Sequence, residues 1–160
     1  MSNLKQLINN LCPDGVEFKK LCDISIMKRG STLTKSQAVN GSYPVISGGR
    51  EPSFYCDKYN REGECITVAG SGTAGYVQYW NEPIFVNDAF SIVAKEGILT
   101  KYIYYCLSSL QNKIYETKKG AVVPHVHISS IENFKIPVPP LEVQREIVRI
   151  LDLFTNLTAE

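Results

Sequence analysis

The chain has no C-x-x-C pair anywhere in its 160 residues, and its five cysteines, Cys12, Cys22, Cys56, Cys65 and Cys106, are scattered and odd in number. That pattern argues against a disulfide framework or a zinc site and for reduced thiols in a reducing compartment. Long apolar runs are missing too. They are interrupted every few residues, so no segment approaches the stretch of about 20 residues that a membrane helix needs. The amino terminus lacks the basic, apolar, small-residue order of a signal peptide, and the expected location is the cytoplasm. An excess of one charge is also lacking: 17 Lys and Arg stand against 16 Asp and Glu, a formal net charge of +1. This disfavours a protein that grips nucleic acid by bulk electrostatics alone.

What is present begins with glycine. Gly70-Ser71-Gly72-Thr73-Ala74-Gly75 fits the spacing G-x-G-x-x-G and follows the strand-like run Cys65-Ile66-Thr67-Val68-Ala69. In a dinucleotide site such glycines open into a helix whose N-terminus holds the pyrophosphate. Here they open into Tyr76-Val77-Gln78-Tyr79-Trp80 and then Asn81-Glu82-Pro83, an aromatic, β-branched run and a turn. The pattern is strand, turn, strand, and the dinucleotide reading fails.

Other candidate chemistries fail on spacing. Asp14, Glu17 and Lys19 are the residue types of a metal-dependent nuclease, but one tight turn carries all of them. His125 and His127 sit two apart on an extended segment and face the same way, with no third metal ligand spaced nearby. No G-x-S-x-G elbow is present, and Val86-Asn87-Asp88-Ala89-Phe90 lacks the proline pair of the amino-methyltransferase signature. A non-catalytic chain with no metal is expected.

Length suggests about one domain with a real hydrophobic core. The apolar spacing predicts a short helix over Asn3 to Leu11, closed by Cys12-Pro13-Asp14-Gly15, while Val16 to Ile26 mixes strand and helix periods. Strands are predicted over 43–46, 65–69, 76–80, 84–86, 90–94 and 134–138. One helix is predicted over Thr100 to Lys118, with Gly120 as its C-terminal stop. The expected fold is α+β, built on a twisted, mostly antiparallel sheet or partial barrel with flanking helices. Pro139-Pro140 then opens a final helix in which Val143, Ile147, Ile150, Phe154 and Leu157 alternate spacings of four and three, the seam of a coiled coil. Gln144, Arg145, Glu146, Arg149 and Asp152 are expected on its other faces. An amphipathic helix packed on its own domain shows the same stripe.

The residues resemble the DNA specificity subunits of type I restriction-modification systems. The likeness is carried by Pro13-Asp14-Gly15-Val16-Glu17-Phe18-Lys19-Lys20-Leu21, by Tyr43-Pro44-Val45-Ile46-Ser47-Gly48-Gly49 and by Ile66 to Val77. It continues in Lys101-Tyr102-Ile103-Tyr104-Tyr105, in Gly120 to His125, and above all in Phe134-Lys135-Ile136-Pro137-Val138-Pro139-Pro140-Leu141-Glu142-Val143-Gln144-Arg145-Glu146-Ile147. The resemblance implies a target recognition domain over residues 1–140 that reads one half of a split double-stranded DNA site. It implies the start of a spacer or dimerisation helix over 141–160. It also implies docking to a modification subunit, which binds S-adenosylmethionine and methylates adenine, and indirect association with a restriction subunit. With one recognition domain, the chain resembles half of such a subunit, and two copies could pair through Val143, Ile147, Ile150, Phe154 and Leu157.

Within that frame the basic residues take expected roles. Lys28, Arg29, Lys118 and Lys119 are assigned to phosphates, and Lys35, Arg50, Ser71, Thr73 and His125 to base edges, where cationic, hydroxyl and amide groups read the donor and acceptor pattern. The alternative is a protein-interaction adaptor that works through its last helix and touches no DNA.

Overall fold

A computed structural model describes residues 3–159. Helix α1 (Asn3–Leu11) leads into a turn at Gly15, whose φ of 95° lies in the left-handed region that glycine tolerates best. The segment of mixed period resolves into β1 (Phe18–Lys20), a single turn of helix, α2 (Leu21–Ile24), and β2 (Ser25–Arg29). There follow β3 (Tyr43–Ile46), β4 (Phe54–Cys56), β5 (Cys65–Ala69), β6 (Val77–Trp80), β7 (Phe85–Val86) and β8 (Ala89–Ala94). The chain closes with α3 (Thr100–Ser109), α4 (Gln111–Glu116), α5 (Ile128–Ile131), β9 (Lys135–Pro137) and α6 (Leu141–Thr158). Among the described residues no helix is long and apolar enough to cross a membrane.

The central sheet has the order β2-β8-β5-β6 and is antiparallel throughout. A smaller sheet, β4-β3-β7, pairs β3 with β7 in parallel, and β1 pairs with β9. The fold is therefore α+β and mostly antiparallel, as expected, and none of these sheets closes into a barrel. Every residue of β5 is buried because both of its faces are covered. Ile66 and Val68 join Phe90, Ile92, Ile103 and Leu107 in the main core, while Cys65 joins Ile46, Ile84 and Val86 in a second cluster. Burial pushes the Cys65 thiol up to about 11, with Arg61 opposing, so this cysteine is inert at neutral pH.

The single helix expected over 100–118 is two helices. The chain breaks at Leu110 (φ −101°, ψ 11°), and the break aims the Gln111 amide at the glycine loop. Its oxygen accepts from the Val77 amide at 3.0 Å and its nitrogen donates to the Gly75 carbonyl at 2.7 Å. An uninterrupted helix would satisfy its own backbone but leave these two strand-edge groups without that partner.

The last helix also departs from the expected pattern. Val143 is buried within its own domain, so it is not part of a free seam, and Gln144 and Glu146, expected on the outer faces, are buried as well. The Gln144 amide accepts from Leu99 N at 3.0 Å and donates to the carbonyl of Pro139 at 2.9 Å. Glu146 takes a two-pronged hydrogen bond from Arg149, each arm 2.8 Å. Farther along, Asp152 is held to α3 by Lys101 at 2.9 Å and by the Tyr105 hydroxyl at 2.5 Å. Beyond it the apolar side chains emerge: Phe154 is 63% and Leu157 72% exposed. The helix is thus a packed element for its first turns and an open one at its end.

Two outcomes follow from this packing. Gln144→Ala leaves the Leu99 amide and the Pro139 carbonyl without their partner and is expected to cost about 1–3 kcal/mol, read as a lower urea midpoint at constant m. For Asp152, partial burial raises its pKa, but the Tyr105 hydroxyl and the Lys101 ammonium outweigh it and hold the carboxyl below its ordinary value. A depressed folded-state pKa contributes stability above the unfolded carboxylate value, about 3.9, and that stability is lost as pH falls through the folded value. Asp152→Asn should therefore flatten the acid limb of a melting-temperature series below about pH 4.

Candidate nucleic-acid interface

Strand register decides which loops meet. Arg29 lies opposite Phe90, Ala69 opposite Ala89, and Ile46 beside Val86. The C-terminal ends of β2, β3 and β5 and the turn between β7 and β8 therefore all emerge at one end of the molecule. A further segment joins them after α4, where the Val126 amide donates to the Gly70 carbonyl at 3.1 Å and the Val126 side chain is buried.

Side chains and close backbone contacts then fix the loops to one another. The Asn87 amide accepts from Leu33 N and donates to Leu33 O, both at 3.1 Å, and also donates to the Ser47 hydroxyl at 3.1 Å. One side chain thus ties three loops. The Thr73 amide and hydroxyl both donate to the Gly48 carbonyl, at 2.8 and 2.6 Å. A Cβ on Gly48 would stand 2.5 Å from the Ser71 carbonyl oxygen, so only glycine permits this approach. Arg61 gathers the end of β2: its guanidinium donates to the Ser91 hydroxyl at 2.6 Å and to the Asn60, Lys28 and Arg29 carbonyls at 2.8, 3.1 and 2.8 Å. Burial pulls its pKa below the ordinary value, with Cys65 opposing.

The residues expected at a DNA surface are placed as follows. Lys28 and Arg29 are exposed at the end of β2. Arg29 and His125 line the same cleft, about 170 Å³, together with Gly70, Asn87 and Asp88. The rings of His125 and His127 stack with centroids 5.8 Å apart, the shared facing their spacing suggests. The Arg50 guanidinium lies 4.9 Å from the centre of the Tyr76 ring, and the Lys118 ammonium 4.6 Å from that of Tyr115. Lys119 pairs with His125 through two backbone hydrogen bonds. Lys35 stands apart in a groove beside Phe54 and Tyr55. The hydroxyls of Ser71 and Thr73 donate inward, to the Asp88 carboxylate and the Gly48 carbonyl, which leaves only their lone pairs for an outside donor.

Sequence reasoning missed Arg61 and Asn87. Arg61 lies in Lys58-Tyr59-Asn60-Arg61-Glu62, which has the composition of an ordinary polar loop. Asn87 sits in a motif considered only for methyl transfer. Neither carries a local signal, because each acts through residues about 30 to 60 positions away.

Among the described residues, Lys28, Arg29, Lys35, Arg50, Lys118 and Lys119 form no salt bridge. Their charges are left for a partner, although the chain as a whole is nearly neutral. Among the described residues no group of three or more His, Cys, Asp or Glu is placed to hold a metal. The protein thus combines an antiparallel core, loops cross-tied at one end, and cations without ion pairs on or beside those loops.

The chain belongs to the family described as the type I restriction modification DNA specificity domain, which matches residues 13–160. It is a family of specificity modules rather than of methyl-transferring or cleaving subunits, in keeping with the non-catalytic reading. The MjaVIII type I restriction enzyme specificity subunit of Methanocaldococcus jannaschii is 25% identical over 167 residues, covering 97% of this chain and 39% of the relative. The EcoR124I/EcoR124II specificity subunit of Escherichia coli is 38% identical over 73 residues, 44% of this chain and 18% of the relative. The crystal structure of a type I restriction-modification S subunit from M. genitalium superposes with a TM-score of 0.77 at 22% identity, over 89% of this chain and 40% of that one. The HsdS subunit from Thermoanaerobacter tengcongensis gives 0.70 at 19% identity, over 98% and 43%. The chain spans about two fifths of the length of the curated relatives that it matches along most of its own length.

Loss of the Asn87 cross-tie should be visible locally. Asn87→Ala is expected to speed amide hydrogen exchange at Leu33 and through Ser47–Gly48, while the amides of β5 keep their protection.

Proposed function

We propose that this chain reads one half of a split double-stranded DNA site through its cross-tied loops and docks a modification subunit through α6. The observation that carries this reading is the placement of the two surfaces. The loops emerge where β8 begins, and Gln144 anchors α6 to the segment that follows the end of β8. Six residues of strand separate those points by about 20 Å. Cations without ion pairs, two of them laid over tyrosine rings, stand by the loops, and the exposed apolar side chains of Phe154 and Leu157 stand on the last helix, which suits the first surface to DNA and the second to protein.

In this reading Lys28, Lys118 and Lys119 meet phosphates. Arg29, expected on phosphates, shares one cleft with His125 and is assigned here with it, and with Arg50 braced on Tyr76, to base edges. Catalysis belongs to the modification subunit, which carries S-adenosylmethionine, and a restriction subunit associates through it. The seam beyond Val143, with Ile147 and Ile150 half-buried and Phe154 and Leu157 exposed, also suits a second copy of this chain. A homodimer would read an inverted repeat, because protein two-fold symmetry is mirrored in the site.

The test is selection from a randomised oligonucleotide pool by the chain with its modification subunit, over a salt series. A short enriched sequence is expected, with affinity falling steeply as salt rises. Lys118→Ala with Lys119→Ala should weaken binding across all sequences and reduce the slope of log K against log salt by about 0.9 per lost phosphate contact. Arg50→Ala should instead relax one position of the enriched sequence. If nothing is enriched while the modification subunit still binds α6, the adaptor reading replaces this one.

A further inference from the structure

The segment between Lys119 and His125 ends in Ala121-Val122-Val123-Pro124, four consecutive apolar residues that are all exposed. Val122 is 92% and Val123 52% exposed. Loop tips ordinarily carry polar residues or glycine, and an exposed apolar run of this length opposes solubility unless it serves a function. The tip is also held in shape. Lys119 and His125 exchange backbone hydrogen bonds of 2.9 and 2.8 Å at its base. Gly120, with φ of 117°, turns so sharply that a Cβ there would stand 2.6 Å from the Val123 carbonyl oxygen. The buried Val126 anchors the far side to the core.

The surroundings indicate the occupant. The base of the tip, at His125, lines one cleft with Arg29 and Asp88, and Lys118 and Lys119 precede the tip in the chain, so groups suited to phosphates border it. A loop closed by the antiparallel bridge Lys119–His125 is accommodated by the major groove, about 12 Å wide, with more room than the minor groove, about 6 Å wide, gives. The apolar feature on the floor of the major groove is the 5-methyl group of thymine. The wedges that part base steps are Phe, Leu, Ile, Met or Pro, and they act in the minor groove; neither valine is among those residue types.

We infer that Val122 and Val123 are specificity-determining residues that contact thymine 5-methyl groups in the major groove. The inference rests on the DNA-reading function proposed above and adds to it a base preference that none of the polar residues supplies.

The test uses the chain bound to its modification subunit and the DNA sequence that this complex enriches. Each thymine in turn is replaced by deoxyuridine, which removes only the methyl group. At one or two positions the replacement is expected to lower affinity about fourfold, the worth of one buried methyl-sized group. Val122→Ser and Val123→Ser should abolish that difference while leaving the salt slope unchanged. Because both side chains are exposed, the variants should melt at the wild-type temperature. Equal binding with every thymine replaced, an enriched site without thymine, or serine variants that keep the methyl preference would each overturn the inference while leaving the DNA-reading function intact. Failure of the wild-type complex to enrich any sequence would overturn both.

Discussion

Val68 faces Phe90, and Ala69 faces Ala89, across the two central strands of the main sheet. That antiparallel register is the constraint on which the rest depends. A shift by one residue would turn Ile66 and Val68 away from Phe90, Ile92 and Ile103 and put the polar Thr67 into the main core in their place. It would also separate the glycine loop after β5 from the turn before β8, where Ser71 bonds Asp88. The hydrophobic effect therefore positions the polar end of the molecule as well as the core, because both hang on one pairing.

On that frame, polar side chains complete what apolar burial cannot. Asn87, Thr73, Arg61 and Gln111 each satisfy backbone groups of segments remote in the sequence. Their bonds hold loops that would otherwise move independently, so the cations borne by those loops keep fixed relative positions. For recognition of DNA this matters more than net charge. Phosphate contacts supply affinity that is indifferent to sequence, whereas base reading needs donors and acceptors held at set distances. With a net charge of only +1, what the loop end offers is local: Arg29 and His125 share one cleft with Asp88, whereas Lys101 and Arg149 are ion-paired beside the last helix.

The two ends differ in physical character, and the family membership gives that difference a meaning. The loop end is polar, with one stiff apolar tip at Val122-Val123. The helix end begins as part of the domain, through Val143 and Gln144, and finishes as bare apolar surface at Phe154 and Leu157. Anchoring the first turns makes the direction of the exposed part a property of the domain. A partner bound there would be held at a defined distance from the loops.

Much of the fold was legible in the sequence, and the pattern of what was not is instructive. The short β-prone runs at Tyr43, Cys65 and Phe90 are strands, and Gly70 to Gly75 joins two strands and opens no helix, because β-branching, aromatics and turn residues act locally. The helix break at Leu110, the burial of Gln144 and Glu146 and the loss of Val143 from the free seam were not legible. Each depends on what another segment presents: Gly75 and Val77 in the first case, Leu99 and Pro139 at Gln144. The candidate site divides in the same way. Composition alone marked the basic pairs and the histidines, while Arg61 and Asn87 became visible only when the chain had folded back on them. By itself the sequence determined the α+β class, the kinds of residue at the surface and the family resemblance, since those reside in local pattern. Only the tertiary structure decided which loops share an end, which cations share a cleft and how much of the last helix is free, because these follow from hydrogen bonds and packing between residues far apart in the chain.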